Sequence, residues 1–372
     1  GAGDASRAGT VAWLAANRTL EAGKWEQAVP LLELALRHGD WPPRERVAML
    51  ATLARTHGLV GHAHEAALVL QSAIDAAPEV SKPTLQRQQA EHFLSCGDVA
   101  RGLPLLEFLQ AGAELAGFSR GILSGGMTAW RRFQQRRRGD AFESKLRTDV
   151  DPVELHKVDV AWCCVSVLAL NDPEKAWSYQ PVHLTTALDV GEVERVMRAL
   201  CEEVVIQVAR ELQANRGALA RVEELVKSHR SAAGAAYLAA AKARIASLTG
   251  EIVPAIELGA DAERQLRRAA RPAWLRQPQR LLTLECRLAA GGVDAVSVDL
   301  DRLARKARNQ GNARQLVEVL ARLGPTVAAA TGQGPALHAA LKAPLNTLTA
   351  PRPGGLGVIA LAQLDLLASE PE

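Results

Sequence analysis

The chain has 372 residues, and its 44 Lys and Arg residues nearly balance its 41 Asp and Glu residues, which gives a formal net charge of +3. This balance gives no electrostatic reason to expect binding to nucleic acid or to an anionic membrane surface. Hydrophobic residues make up 48% of the chain but aromatic residues only 4%, and good helix formers prevail over good strand formers. This composition favours an all-α fold.

Two further features bear on the cellular compartment. The longest apolar stretch, residues 160–170, is far shorter than the roughly 20 residues that a membrane-spanning helix needs, so we expect no membrane contact. The five cysteines are odd in number and form no C-x-x-C pair, which predicts a reducing, cytoplasmic location. The first residue is Gly1 rather than Met, which favours a piece of a longer protein.

The first third of the chain contains a set of small and apolar residues that recurs in register. The set is Ala16, Gly23, Ala28, Leu32 and Ala35; it returns as Ala54, Gly61, Ala66, Leu70 and Ala73, and again as Ala90, Gly97, Gly102, Leu106 and Leu109. Such a recurrence is typical of stacked helical hairpins, with small residues where two helices touch and Gly at the turn. It predicts hairpins over residues 5–37, 44–76 and 84–112.

This spacing, together with Trp25 after the first turn and Pro78 after the second hairpin, resembles the tetratricopeptide repeat. Gly102 and Leu109 depart from it, because the family has Ala at both positions. The resemblance implies a right-handed α-solenoid whose concave face binds a partner. In the family's register the groove-facing residues are Trp13, Asn17, Arg55, Arg87 and Glu91. Trp13 stands where some members carry a Lys that clamps a peptide carboxylate, so we expect an extended peptide or a helix instead.

The repeat pattern lapses after residue 117, and residues 118–151 are predicted to be an irregular basic connector. The run over residues 130–138 carries five arginines and two aromatic residues, namely Arg131, Arg132, Arg136, Arg137, Arg138, Trp130 and Phe133. Three interpretations stay open: a solvated or intramolecular surface, a patch for an acidic protein partner, or a grip on nucleic acid. The first is favoured, because the arginines spread over more than one helix face.

Helical hairpins resume over residues 152–330. Ala243, Gly250, Ala255 and Ala262 repeat the tetratricopeptide spacing, and a less regular copy covers residues 281–307. Segments 155–163, 180–188 and 193–200 resemble the helical-repeat tails of large bacterial signalling proteins, best represented in myxobacteria, in which a Ser/Thr kinase and an ATPase module precede the repeats. The resemblance implies a regulatory or sensory tail. Residues 331–372 form an Ala-, Gly- and Pro-rich end, with a linker at 350–355 and a short helix over 358–367.

The sequence contains no recognisable set of catalytic residues. It lacks a phosphate-binding glycine-rich loop, the kinase signatures H-R-D and D-F-G, and the G-x-S-x-G nucleophile motif. His62 and His64 point to different sides of a helix, and the Cys163–Cys164 pair is interpreted as small buried hydrophobes. His156 and Asp159 share a helix face, but Asp159 is expected to serve a buried polar network. We therefore predict no catalytic residue, cofactor or metal.

Two functions remain from the sequence. The first is a non-catalytic interaction and regulatory module that binds a peptide or protein in its concave groove, the partner being another protein or domains of the same parent chain. The second is a small-molecule sensor that controls an attached kinase or ATPase. A closed apolar pocket near Trp162, Trp177 and Trp274 would support the sensor, and an open polar groove would support the peptide site.

Overall fold

The computed structural model describes residues 2–115, 123–211, 216–348 and 351–369, and every regular element in these ranges is helical. The all-α prediction is therefore confirmed. The first three predicted hairpins are present as six helices: α1 (Ala2–Glu21), α2 (Trp25–His38), α3 (Pro43–Val60), α4 (Ala63–Ala76), α5 (Lys82–Cys96) and α6 (Val99–Gly112). Consecutive helices pack against each other along this series.

The turns of these hairpins lie at the predicted glycines. Gly23, Gly61 and Gly97 have φ angles of 69°, 108° and 92°, in the left-handed region that favours Gly over residues with a side chain. Apart from Gly23, the small and apolar residues of the recurring set are buried, and Ala16, Ala28 and Leu32 have no exposed surface. Each hairpin thus ends its first helix with a left-handed Gly and closes through small side chains.

The departure from the repeat pattern at Gly102 has a steric cause. A Cβ atom placed on Gly102 would lie 2.7 Å from Cγ of Leu94 on the preceding helix, a distance that real Cβ contacts do not reach. Leu94 is fully buried and cannot swing away without leaving a void. The approach of α6 to α5 therefore requires Gly where the repeat pattern has Ala.

The segment predicted as an irregular connector is partly helical. Helix α7 spans Leu123–Arg138, followed by a non-helical stretch that contains a short 3-10 turn at Arg147–Asp149. Helix α7 packs against α9 (Pro173–Val190). The predicted boundary at residues 117–118 lies outside the described residues.

The remaining helices continue the paired packing. They are α8 (Pro152–Ser166), α10 (Val193–Glu211), α11 (Arg216–His229), α12 (Ala232–Leu248), α13 (Ile252–Arg268), α14 (Ala273–Ala289), α15 (Val293–Asn309), α16 (Ala313–Thr331), α17 (Gly334–Leu345) and α18 (Pro351–Ser369). A 3-10 turn, Leu168–Leu170, follows α8. Gly250, which the repeat spacing singles out, has a positive φ angle, and so has Gly291 within the less regular copy over residues 281–307.

The C-terminal end differs from the expectation. The prediction of a linker over residues 350–355 is wrong from Pro351 onward, because α18 begins at that residue. The final helix is therefore longer than the predicted range 358–367. Pro is accepted at the first turn of a helix, where its missing N–H is not needed. Leu364 and Ala360 of α18 are buried against the core that α16 and α17 share, and this packing holds the part of the helix that the sequence predicts.

The late helices return to the early ones. Helix α14 packs against α3, and α16 packs against α5. The side-chain amide of Gln310 donates to the carbonyl oxygen of Val60 at 3.0 Å, and Arg276 donates to the carbonyl of Leu59. These carbonyls belong to the last turn of α3, where the helix itself supplies no donor. The two repeat sets therefore meet and enclose a space between them.

No helix in the described ranges combines the length and the apolar character that crossing a bilayer requires.

Candidate functional site: a charged central cavity

A cavity of about 540 Å³ lies where the two repeat sets meet. Its walls come from α3, α5, α8, α10, α12 and α14 and from the turn at Arg147–Asp149. Ten charged residues line it: Arg55, Arg87, Arg147, Arg195, Arg198, Arg271, Glu91, Asp159, Glu192 and Glu194. We call this space the central cavity.

Asp159 is the centre of an ion-pair network in the wall. Arg195 grips it with two bonds, Nε to Oδ1 at 3.0 Å and Nη2 to Oδ2 at 2.6 Å, and Arg198 adds a third at 3.1 Å. Burial disfavours charge on Asp159, but Arg198, Arg87 and Arg195 outweigh it and hold the pKa of this carboxyl well below its usual range. The expectation that Asp159 serves a buried polar network is confirmed.

Arg87 and Glu91 form a second pair, one turn apart on α5. Both side chains are largely buried, at 12% and 13% exposure. Burial opposes the charge on Arg87, but Glu91 and Asp159 outweigh it and raise the pKa of Arg87, so this guanidinium stays charged. Burial raises the pKa of Glu91, with Arg87 acting against the increase. The pair is thus a fixed cation with a carboxylate that burial makes easier to protonate.

Aromatic rings hold two of the arginines in place. The guanidinium of Arg198 lies 4.6 Å from the ring centre of Trp162, and that of Arg271 lies 5.3 Å from the ring centre of Tyr237. Arg271 also pairs with Glu194. Stacking and ion pairing together restrict the rotamers of these long side chains, so this wall is already ordered without a ligand.

Trp274 and Trp162 also separate the central cavity from a smaller one. The second cavity, of about 310 Å³, is lined by both tryptophans and by Tyr237. Of the three tryptophans singled out in the sequence, Trp162 and Trp274 therefore lie at the cavities, whereas Trp177 lines neither of them and is 41% exposed.

The structure brings together three of the five residues predicted to face the groove: Arg55, Arg87 and Glu91 line the central cavity. Trp13 and Asn17 do not line it. Trp13 packs edge-on against Trp41, with ring centres 6.4 Å apart, and the Asn17 side chain donates to the carbonyl of Trp13 at 3.1 Å. Both residues lie on α1, which contributes no residue to the cavity wall, whereas the late helices meet α3 and α5.

The basic run is partly engaged within the molecule. Arg132 pairs with Glu203 at 3.1 Å, Arg138 pairs with Asp189, and Arg137 lies over the ring of Phe133. Arg131 and Arg136 also make interactions of their own. Trp130 and Phe133 are about half exposed and stack on each other. These contacts favour the solvated or intramolecular interpretation.

Sequence reasoning missed most of the cavity wall, notably Arg147, Arg195, Arg198 and Arg271. Arg195 and Arg198 have an i, i+3 spacing that places them on one helix face, and this is the only local signal. Nothing in the sequence tells that this face of α10 meets Asp159 on α8, because the contact spans more than 30 residues.

The two adjacent cysteines of α8 are poorly suited to nucleophilic chemistry. Burial raises the pKa of the Cys163 and Cys164 thiols, that of Cys164 to about 12, so neither is a thiolate near neutral pH. Within the described part of the chain, no group of three or more His, Cys, Asp or Glu side chains is arranged to hold a metal ion.

Comparison with known proteins does not assign this chain to a family. No protein-family model matches this chain, and a search of the curated proteins found no match either. The resemblance to the tetratricopeptide repeat and to bacterial signalling tails therefore stays a prediction.

Proposed function

We propose that this chain is a non-catalytic binding and regulatory module, built as a right-handed α-solenoid of tetratricopeptide-like hairpins. It takes a ligand in the central cavity and passes the binding signal to the catalytic domains of a larger bacterial signalling protein. One observation carries this proposal: residues from both repeat sets, among them Arg55, Glu91, Asp159 and Arg271, meet around one cavity. Binding there changes how strongly the two sets hold together.

The size of the cavity favours a small effector. About 540 Å³ lies within the range of roughly 300 to 1,000 Å³ that small-molecule sites occupy. Arg276 on α14 donates to the carbonyl of Leu59 in the cavity wall, so the late helices bound the space on one side, which disfavours a bulky helix or a protein surface as the occupant. The site is charged rather than the closed apolar pocket expected of a sensor, but its volume favours a small molecule, and the small-molecule sensor is therefore the function that we propose first.

A short peptide segment is the second candidate, and an adjoining cavity favours it. That cavity, of about 460 Å³, shares Arg147, Glu192 and Glu194 with the central cavity. An extended peptide of a few residues would run from one cavity into the other past these three side chains. The partner would then be a chain end or a loop, either of another protein or of the parent chain.

Signal transmission follows from the closure of the two repeat sets. A ligand that contacts both sets binds the closed arrangement more tightly than an opened one, and so shifts the population towards closure. Solenoids bend through small rotations between neighbouring repeats. A change at the cavity is therefore passed to the ends of the array, where attached domains respond.

A cavity-filling variant tests the proposal. Thr52 lines the cavity, and its hydroxyl donates to the carbonyl of Ala48 in its own helix at 2.8 Å. Thr52→Trp fills the space, and Thr10→Trp is the matched control, because Thr10 makes the same kind of bond on α1 away from the cavity. The thermal unfolding of wild type and both variants is measured against a metabolite library and a library of short peptides.

We expect at least one compound to raise the unfolding temperature of wild type and of Thr10→Trp but not that of Thr52→Trp, since a ligand stabilises the state that it binds. A hit among metabolites supports the sensor, and a hit among peptides supports the second candidate. If no compound binds wild type, or if hits stabilise Thr52→Trp equally, the central cavity is not the ligand site.

A further inference from the structure

The charges of the central cavity do not cancel. Each of its four carboxylates is paired within the wall: Glu91 with Arg87, Asp159 with Arg195 and Arg198, Glu192 with Arg195, and Glu194 with Arg271. Six arginines line the cavity. Two of them, Arg55 and Arg147, have no ion-pair partner among the residues that the structure describes. The wall is therefore left with two cations that its own carboxylates do not neutralise.

These two arginines come from different elements of the fold. Arg55 lies on α3 in the first repeat set, and Arg147 lies in the turn that precedes α8. Both side chains are exposed, so they remain hydrated and free to turn towards a ligand. The other cavity arginines are held by carboxylates, and Arg198 and Arg271 also by aromatic rings.

A third group points to the same ligand chemistry. Trp274 lines the cavity and is only 8% exposed, and its indole N–H has no acceptor in the described part of the chain. Indole and guanidinium groups donate hydrogen bonds and accept none. Apart from Nδ1 of His92, the buried side-chain atoms left without a partner at this cavity are therefore donors, and a complementary ligand must supply acceptors and negative charge.

We propose that the central cavity binds an organic anion with two negative charges, a dicarboxylate or a phosphate monoester, whose oxygens accept hydrogen bonds from Arg55 and Arg147. This inference rests on the proposed function, because it names the ligand class of the same site. Two charges on the ligand balance the two unpaired guanidiniums. By touching α3 and the turn before α8 at once, the anion links the first repeat set to the connector that leads into the second.

Succinate and glycerol phosphate are the probes, and succinamide and glycerol are their uncharged counterparts. Binding is followed by the fluorescence of the cavity tryptophans and by thermal unfolding, in wild type, Arg55→Gln and Arg147→Gln. Arg44→Gln is the matched control, because Arg44 is an exposed arginine on the same helix as Arg55 but does not line the cavity. Comparing the binding of the two dianions also tells whether the site prefers carboxylate or phosphate groups.

We expect at least one dianion to bind wild type and its uncharged counterpart not to bind. Each cavity variant should raise the dissociation constant about tenfold or more, since hydrogen bonds to charged groups are among the strong ones, and Arg44→Gln should leave it within about twofold. Equal binding of the uncharged counterpart, an unchanged constant in both cavity variants, or no binding of either dianion would overturn the anion class. The Thr52→Trp comparison decides the proposed function separately.

Discussion

The Nε atom of Arg314 donates a hydrogen bond to the carbonyl oxygen of Ser95 at 2.8 Å, joining positions that lie 219 residues apart in the chain. Ser95 is in the last turn of α5, where carbonyls lack a partner within the helix. A cation at the C-terminal end of a helix also interacts favourably with the helix dipole. Together with Gln310 on Val60 and Arg276 on Leu59, it forms a seam that closes the two repeat sets.

We expect substitutions in this seam to open the molecule. Arg314→Ala and Gln310→Ala each leave a buried carbonyl without a donor, which should cost about 1 to 3 kcal/mol in the free energy of unfolding. Hydrogen exchange should become faster at the ends of α3 and α5 in particular, and small-angle scattering should report a larger radius of gyration. Arg308→Ala is the control, because Arg308 is exposed near the end of α15; equal effects of the control would contradict the seam.

The close approach of Gly58 on α3 to His92 on α5 allows a steric test of the packing between these two helices. A Cβ atom on Gly58 would lie 2.5 Å from Cε1 of the buried His92 ring. Gly58→Ala should therefore lower the free energy of unfolding by about 1 to 3 kcal/mol, although Ala favours helices by about 1 kcal/mol over Gly.

The matched control for this test is Gly112→Ala. Gly112 ends α6, and a Cβ there would meet no other atom within 4 Å, so stability should rise by about 0.5 kcal/mol. Urea unfolding measures both variants. A Gly58→Ala protein as stable as wild type would contradict the close packing of α3 on α5.

The histidines between these helices predict a pH dependence. Burial, with a contribution from neighbouring positive charge, lowers the pKa values of His57 and His92 from 6.5 to about 4. Between pH 6.5 and about 4 the unfolded chain therefore binds protons that the folded chain does not, so stability should fall as the pH drops through this range. Above pH 6.5 these two groups contribute no further change.

His92→Leu isolates this effect. In this variant the free energy of unfolding should fall less than in wild type as the pH drops, by on the order of 1 to 3 kcal/mol. Urea unfolding of both proteins across the pH range measures the difference. Burial raises the pKa of Glu91, which opposes the trend at low pH but is present in both proteins. His38→Leu, at an exposed position of α2, should leave the wild-type pH profile unchanged. If His92→Leu also leaves it unchanged, His92 is not the group responsible.

We expect the substitution of Asp159 by Asn to lower the free energy of unfolding strongly, although the side chain keeps almost the same size. Asp159→Asn leaves Arg195 and Arg198 in the cavity wall with less compensation, and breaking a buried ion pair costs roughly 3 to 5 kcal/mol. Asp189→Asn makes the same substitution in the more exposed pair with Arg138 and should cost at most about 1 kcal/mol. Because the pKa of Asp159 lies well below its usual range, the difference between the two variants should persist from neutral pH down to mildly acidic pH.

The sequence by itself determined the helical hairpins of the first repeats. Ala16, Gly23 and Ala28 define a helix face, a left-handed turn and the face that packs against it, all within a few turns of chain. Such signals are local, because helix periodicity and the φ preference of Gly depend on neighbouring residues alone. Arg55, Arg87 and Glu91, which the family register assigns to the groove side by counting positions within one hairpin, all line the central cavity.

Only the tertiary structure decided that the array closes and which charges it brings together. The contact of Arg314 with Ser95 depends on small rotations summed over many repeats, which no single hairpin encodes. The same summation leaves Trp13 and Asn17 outside the cavity and places Arg195 and Arg198 on Asp159. Local spacing tells which face of a helix is polar, whereas the partner of that face is fixed by packing between residues far apart in the chain.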